Sequence, residues 1–177
     1  DRKNRIGVFK LAPDFNNDVG IIAVVDPTDA TLSNSEEITV TIRNFGVNPQ
    51  SNIPVTYSVD GGPVISEVFS GTVAGTSSVN YTFTATANLG EIGETYEITA
   101  STNLPGDEEN GNDAYTTNVR NLFPIDVGIT SIDAPNTGLS LTSAEDITVT
   151  IENFGGEPQS NIPVAYRIEY NVFVREI

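Results

Sequence analysis

The sequence contains no cysteine, histidine, methionine or tryptophan. The first two absences exclude Ser-His-Asp and Cys-His nucleophile systems, which need an imidazole base or a thiolate. They also exclude the usual zinc, haem and iron–sulfur ligation. No run reaches the roughly 18 apolar residues that a membrane-spanning helix needs. Positive charge is scarce: 8 Lys and Arg stand against 24 Asp and Glu, a formal net charge of -16 at pH 7. Such a surface repels phosphate backbones and anionic lipid, so neither nucleic-acid nor membrane-surface binding is expected, and with no apolar span no membrane insertion either. Lysine occurs only as Lys3 and Lys10, so no Lys–Asn isopeptide cross-link can form within 18–177. Without Met, the chain is expected to be a processed or excised piece. Its charged opening, DRKNRIGVFK, lacks the apolar core of a signal peptide. The absence of Cys fits a cytosolic protein, or an exported one that relies on packing instead of disulfides.

What is present is a repeat. ITVTIRNFGVNPQSNIPVTYSV (38–59) recurs as ITVTIENFGGEPQSNIPVAYRI (147–168), identical at 16 of 22 positions with an offset of 109. Upstream, DVGIIAVVDP (18–27) corresponds to DVGITSIDAP (126–135). A period of this kind marks a tandem array of one structural unit. The expected organisation is a complete repeat over 18–121, a linker over 122–125 and a partial second repeat over 126–177. Residues 1–17 are either a leader or the last strand of a preceding repeat. The second reading rests on Leu11-Ala12-Pro13, which stands before Asp18 much as Leu122-Phe123-Pro124 stands before Asp126.

Within the repeat, apolar residues alternate with polar ones. Ile38, Val40 and Ile42 alternate with Thr39, Thr41 and Arg43; Ile53, Val55, Tyr57 and Val59 with Pro54, Thr56 and Ser58. The same period of two runs through Val79, Tyr81, Phe83 and Ala85, and through Tyr96, Ile98 and Ala100. With 18–25, 63–70 and 113–121, seven strands are expected in about 100 residues. Asp60-Gly61-Gly62 reads as a tight hairpin turn. No segment shows a helical apolar period. The pattern predicts an all-β, immunoglobulin-like β-sandwich, whose two sheets bury their inner faces. The partial second copy, with about four strands, would leave a sheet edge and a core face open. Strand 5–11 of another copy, or the remainder of a longer parent, is expected to cover them.

The early Asp-Val, the ITVTIRNFG strand and turn, the NIPVTYSVDGG hairpin and the late GDEENGND stretch (106–113) together resemble the bacterial cell-adhesion-related CARDB domain. The resemblance covers nearly all of 18–121 and then 126 to about 168. It lapses after Ile168, where the second copy reads EYNVFVREI instead of continuing with Asp-Gly-Gly. It implies an Ig-like module strung in several copies along secreted or surface proteins, with no catalytic residues to carry over. The Thr- and Asn-rich, Cys-free texture is similar to large adhesins and exported proteins of Bacteroidota. It implies export by the type IX system, although no C-terminal sorting domain is visible here.

The densest polar constellation is 107–113. Asp107, Glu109, Asn110, Asn112 and Asp113, with Glu108, could turn several oxygens toward a calcium ion, which takes carboxylate and amide ligands from one loop. The spacing is not that of an EF-hand, and a solvated acidic loop is the alternative. Asp18 and Asp126 could add ligands or cap turns. Tyr96 is placed either to stack on a sugar or to bond its hydroxyl back to backbone as a tyrosine corner. Asn44-Phe45-Gly46 and Asn153-Phe154-Gly155 are expected to plug the sandwich ends, with the glycines at positive φ. Gln50, Ser51 and Asn52, like Gln159, Ser160 and Asn161, form either a polar rim or a self-satisfying turn. A carboxylate pair would suffice for glycoside hydrolysis, but such chemistry needs a walled cleft and usually aromatic platforms, and a 100-residue sandwich lacking Trp offers little of either. The expectation is a non-catalytic spacer, extracellular or at the cell surface, whose partners are neighbouring repeats. A glycan- or protein-binding module, and an accessory domain of a secreted hydrolase, are the alternatives.

Overall fold

A computed structural model describes residues 15–138, 141–142, 144–168 and 172–176. The expected strand at 5–11 lies outside them. The chain divides into two compact units. The first comprises Asp1–Thr28, Ser33–Gly90 and Thr95–Val119; the second comprises Asp29–Leu32, Glu91–Glu94 and Arg120–Ile177.

The complete repeat is an all-β, immunoglobulin-like sandwich. Its strands are β1 (Val19–Asp26), β2 (Thr39–Asn44), β3 (Gln50–Val59), β4 (Ile65–Val73), β5 (Ser78–Thr82), β6 (Thr95–Thr102) and β7 (Ala114–Arg120). One sheet runs β1-β2-β5 and the other β4-β3-β6-β7, each pairing described being antiparallel. The alternation in the sequence sets the faces. Ile38, Val40, Ile42, Ile53, Val55, Ile98 and Ala100 are fully buried, while their Thr and Ser neighbours look outward. Each buried Val or Ile contributes about 1.5–3 kcal/mol relative to exposure, so this core drives the fold. Outside, hydroxyls pair across strands: Thr39 with Thr82, Thr56 with Ser101, and Thr99 with Thr116, each at 2.8–2.9 Å. In the turn between β3 and β4, Asp60 (φ 51°) and Gly61 (φ 64°) are both left-handed, which matches the right-handed twist of the strands they join.

The repeat in sequence is a repeat in geometry. β8 (Val127–Ala134) pairs with β9 (Thr148–Asn153) as β1 pairs with β2. Val19 faces Asn44, and Val127 faces Asn153. Bulges fall at Ile21/Ala23 and Val24/Asp26, and again at Ile129/Ser131 and Ile132/Ala134. Asn44 Nδ2 donates to the Asn48 carbonyl at 2.8 Å; Asn153 Nδ2 donates to the Glu157 carbonyl at 2.9 Å. Although the sequences diverge after Ile168, β10 (Val164–Ile168) pairs with β11 (Val172–Glu176) in the register of β3 with β4: Tyr166 faces Val174 as Tyr57 faces Ile65. The described residues thus hold counterparts of β1 to β4 only.

The expectation for the two Asn-Phe-Gly turns is corrected. Neither Gly46 nor Gly155 has a positive φ. They are glycines because backbone passes against them. A Cβ on Gly46 would run into the Asn16 carbonyl, and one on Gly155 would lie 2.8 Å from the Asp126 nitrogen and 2.9 Å from the Phe123 and Pro124 oxygens. Phe45 is half buried, with the Arg43 guanidinium 5.2 Å from its ring centre. Phe154, where Glu152 replaces that arginine, is exposed.

Candidate functional site

The acidic stretch 107–113 joins β6 to β7 and includes one 3-10 turn, Asn110–Asn112. Its carboxylates fasten it to the start of β1. Asp107 Oδ2 accepts the Val19 amide at 2.8 Å, and its Oδ1 accepts the Glu109 amide at 2.9 Å. Glu108 Oε2 accepts the Asn16 amide at 3.0 Å, while the Glu108 amide donates to the Asn17 carbonyl at 2.9 Å. Glu109 Oε1 accepts the Gly111 amide at 2.9 Å and so caps the turn. Asn112 Nδ2 donates to Asp18 Oδ1 at 2.8 Å, and Asn112 Oδ1 is buried with no hydrogen-bond partner. The Asp113 carbonyl accepts the Thr102 and Ile21 amides at 3.1 and 3.3 Å. The Asn110 side chain is exposed.

Gly20 completes the clasp. Its position would drive a Cβ into the Asn112 carbonyl, so only glycine lets the loop close down on β1. The equivalent Gly128 meets nothing tighter than the Phe154 ring at 3.3 Å. Asp18, which heads the repeat, is 2 % exposed. Burial pushes its carboxyl above the ordinary aspartate value; the Asn112 bond opposes this, and the charges of Asp107, Glu109 and Glu108 add to it. Asp113 is raised by burial and by Asp107, then by Asp18 and Glu109, against the lowering effect of Thr102. The loop therefore concentrates negative charge and offsets it with backbone amides. Among the described residues, no three Asp, Glu, His or Cys side chains converge as a metal ion would require.

The contacts of Asp18, Asp126 and Gln50 are structural. The Asp18 carbonyl accepts the Phe45 and Gly46 amides, and the Asp126 carbonyl accepts those of Phe154 and Gly155. Gln50 Nε2 donates to Asn17 Oδ1 at 2.7 Å, joined there by Asn48 Nδ2 at 3.1 Å. Asn52 and Asn161 are left-handed at φ 52° and 53°, a conformation asparagine tolerates better than most residues. Tyr96 is half buried on β6.

No protein-family model matches the chain, and no curated protein matches it. Among solved structures, the chain is similar to a solution NMR structure from Methanosarcina acetivorans, domain 272–376 of a protein provisionally named a cell surface protein. The two are 18% identical, with a TM-score of 0.48, over 61% of this chain and 94% of that one. The fold assignment rests on the strands and registers described above. No helix among the described residues is long and apolar enough to cross a membrane.

Two functional-looking residues escape the sequence patterns. Glu67 stands in an inward register on β4 and accepts the Tyr81 hydroxyl at 2.6 Å. Its signal was a carboxylate in phase with Ile65 and Phe69. Asn121 is completely buried within the second unit. Its Oδ1 accepts the Leu32 amide at 2.8 Å, and its backbone bonds both Gly93 and Glu94. Nothing in the local sequence distinguishes it from a linker asparagine.

Proposed function

We propose that the chain is a non-catalytic spacer from a tandem array at the cell surface or in the secreted space, of the CARDB type. The observation that carries this reading is the residue-for-residue recurrence of register, bulges and asparagine bonds in the two copies. A unit whose backbone instructions repeat this closely is suited to serial stacking, where each repeat adds length. The aromatic residues support the same reading. Tyr57, Phe69, Tyr81 and Phe83 make edge-to-face pairs at 4.8–5.9 Å between strands, and so serve packing rather than an end-loop platform. The high negative charge keeps such an array soluble and extended by self-repulsion. Bacteroidota-type export by the type IX route belongs to the same proposal.

The test is mechanical. Pulling the chain from its two ends should give a discrete unfolding event with a contour-length gain of about 35 nm, roughly 100 residues at ~3.5 Å each. Saturable binding to one class of ligand on a glycan array, or loss of resistance below the force of a plain coil, would refute the spacer reading.

A further inference from the structure

We propose that Asn110 and Gly111 form a self-modification site, where succinimide formation converts Asn110 to isoaspartate and leaves the 107–113 clasp unable to close again. Asn110-Gly111 is the one Asn-Gly pair of the sequence; every other asparagine is followed by a residue that carries a side chain. The reaction needs the nitrogen of the following residue to reach the asparagine Cγ, and a glycine sets no Cβ in the way. The Asn110 side chain is exposed and has no hydrogen bond among the described residues, so nothing pins its Cγ. Two neighbouring chemistries are pinned instead. Asn112 Nδ2 is bonded to Asp18 Oδ1 at 2.8 Å. Asp60, which precedes Gly61, has its Oδ1 on the Glu97 amide at 2.8 Å. The step balances with water alone. The Gly111 nitrogen bonds to Asn110 Cγ, the Cγ–Nδ2 bond breaks, and Nδ2 leaves as ammonia with the proton of the Gly111 amide. Water then opens the ring at either carbonyl, giving aspartate, or isoaspartate whose main chain runs through Cγ.

The folded turn restrains the reaction, and the product destroys the turn. Asn110–Asn112 is a 3-10 turn, whose helical ψ holds the Gly111 nitrogen out of line with Cγ. Glu109 Oε1 also engages the Gly111 amide at 2.9 Å. Conversion therefore proceeds from brief openings of the loop, which come easily to a short polar turn that buries none of its three residues. Isoaspartate lengthens the main chain by one carbon, about 1.5 Å, within a fit that has no slack. The Asn112 carbonyl already stands where a Cβ on Gly20 would fall, and the Asp113 carbonyl accepts the Thr102 and Ile21 amides. The product also adds a carboxylate to a stretch that holds Asp107, Glu108, Glu109 and Asp113 beside the buried Asp18. Added length and added like charge both oppose reclosure. Each conversion leaves the start of β1 unclasped. The change runs one way, so the converted fraction records the age of the chain.

Peptide mapping by mass spectrometry tests this on the whole chain, with a synthetic peptide of residues 105–116 as the unrestrained reference. At about 37 °C and about pH 7.4, Asn110 should gain about 1 Da before any other asparagine does, at a rate about 10- to 100-fold below the peptide, because opening of the loop gates it. An isoaspartyl methyltransferase should label the product at residue 110. Glu109→Ala, which releases the Gly111 amide, should raise the rate at least ~3-fold. Gly111→Ala should lower it at least ~10-fold by crowding the attacking nitrogen. In the isoaspartate fraction, hydrogen exchange should show lost protection at the Val19 and Ile21 amides, whose acceptors are Asp107 Oδ2 and the Asp113 carbonyl. Conversion as fast as in the peptide overturns the proposal, as does an unchanged chain once the peptide has fully converted. So does either variant that fails to move the rate in its stated direction, or a converted chain that keeps full protection at Val19 and Ile21.

Discussion

Glu67 on β4 and Tyr81 on β5 join the rims of the two sheets: the carboxylate accepts the phenol at 2.6 Å. It also accepts the Thr84 and Ala85 amides at 3.0 Å, where the chain leaves β5. Burial raises the Glu67 carboxyl, but these donors outweigh it and hold the group below its ordinary value. The same contact, after burial itself, pushes Tyr81 up to about 12.

Glu67→Gln should therefore lower stability at pH 7 by about 1–2 kcal/mol, the scale of losing charge-assisted hydrogen bonds. Because the folded carboxyl is depressed, its contribution is present above the ordinary glutamate value of 4.5 and is lost as pH falls through the folded value. Thermal melts of wild type and variant should converge in acid. Phenolate absorbance should show Tyr81 ionising earlier in the variant.

Asp113→Asn should have the opposite sign. The folded carboxyls of Asp18 and Asp113 lie above 3.8, so the folded state holds their protons more tightly than the unfolded one. Their contribution is favourable below that value and declines as pH rises through the raised values, leaving a penalty at neutrality. The variant should melt a few degrees higher at pH 7, an effect on the order of 0.5 kcal/mol, and the gain should vanish near pH 4. A loss at pH 7 would show that the carboxylate charge is needed by the Thr102 hydroxyl.

Gly61 and Gly46 are required for different reasons, and asparagine separates them. Gly61 has φ 64° with open space around its Cβ position, so Gly61→Asn should be nearly neutral. Gly46→Asn should cost about 1–3 kcal/mol, because the Asn16 backbone has no room to withdraw. Denaturant midpoints of the two variants give the comparison directly.

Melts in millimolar calcium and in excess EDTA should coincide within about one degree. The carboxylates of Asp107, Glu108 and Glu109 already accept backbone amides. An ion held at about 10 µM and supplied at about 1 mM would instead add roughly 2.7 kcal/mol. A shift of that size would make 107–113 an ion site, with Asn112 Oδ1 as its spare oxygen.

The sandwich was legible because its information is local. Ile38, Val40 and Ile42 alternate along one strand, and the paired Asp-Gly turn needs no distant partner. The clasp was only half legible. Acidic composition marked 107–113, yet its partners are the amides of Asn16 and Val19, some 90 residues away. Backbone donors leave no trace in composition. Gly20 and Gly46 were visible as glycines, but their reason, a passing carbonyl, exists only once the fold is closed. The role of Asn121 likewise depends on segments 29–32 and 91–94 meeting it in the second unit.

The matched registers of β1–β2 and β8–β9 also pose a problem of identity during folding. Either first strand carries the pattern that either second strand reads, so a denatured chain holds two correct local solutions and two crossed ones. Synthesis from the amino terminus resolves the choice by timing, since β1 and β2 can close before β8 exists. Dilution from denaturant removes that order and releases both pairs at once.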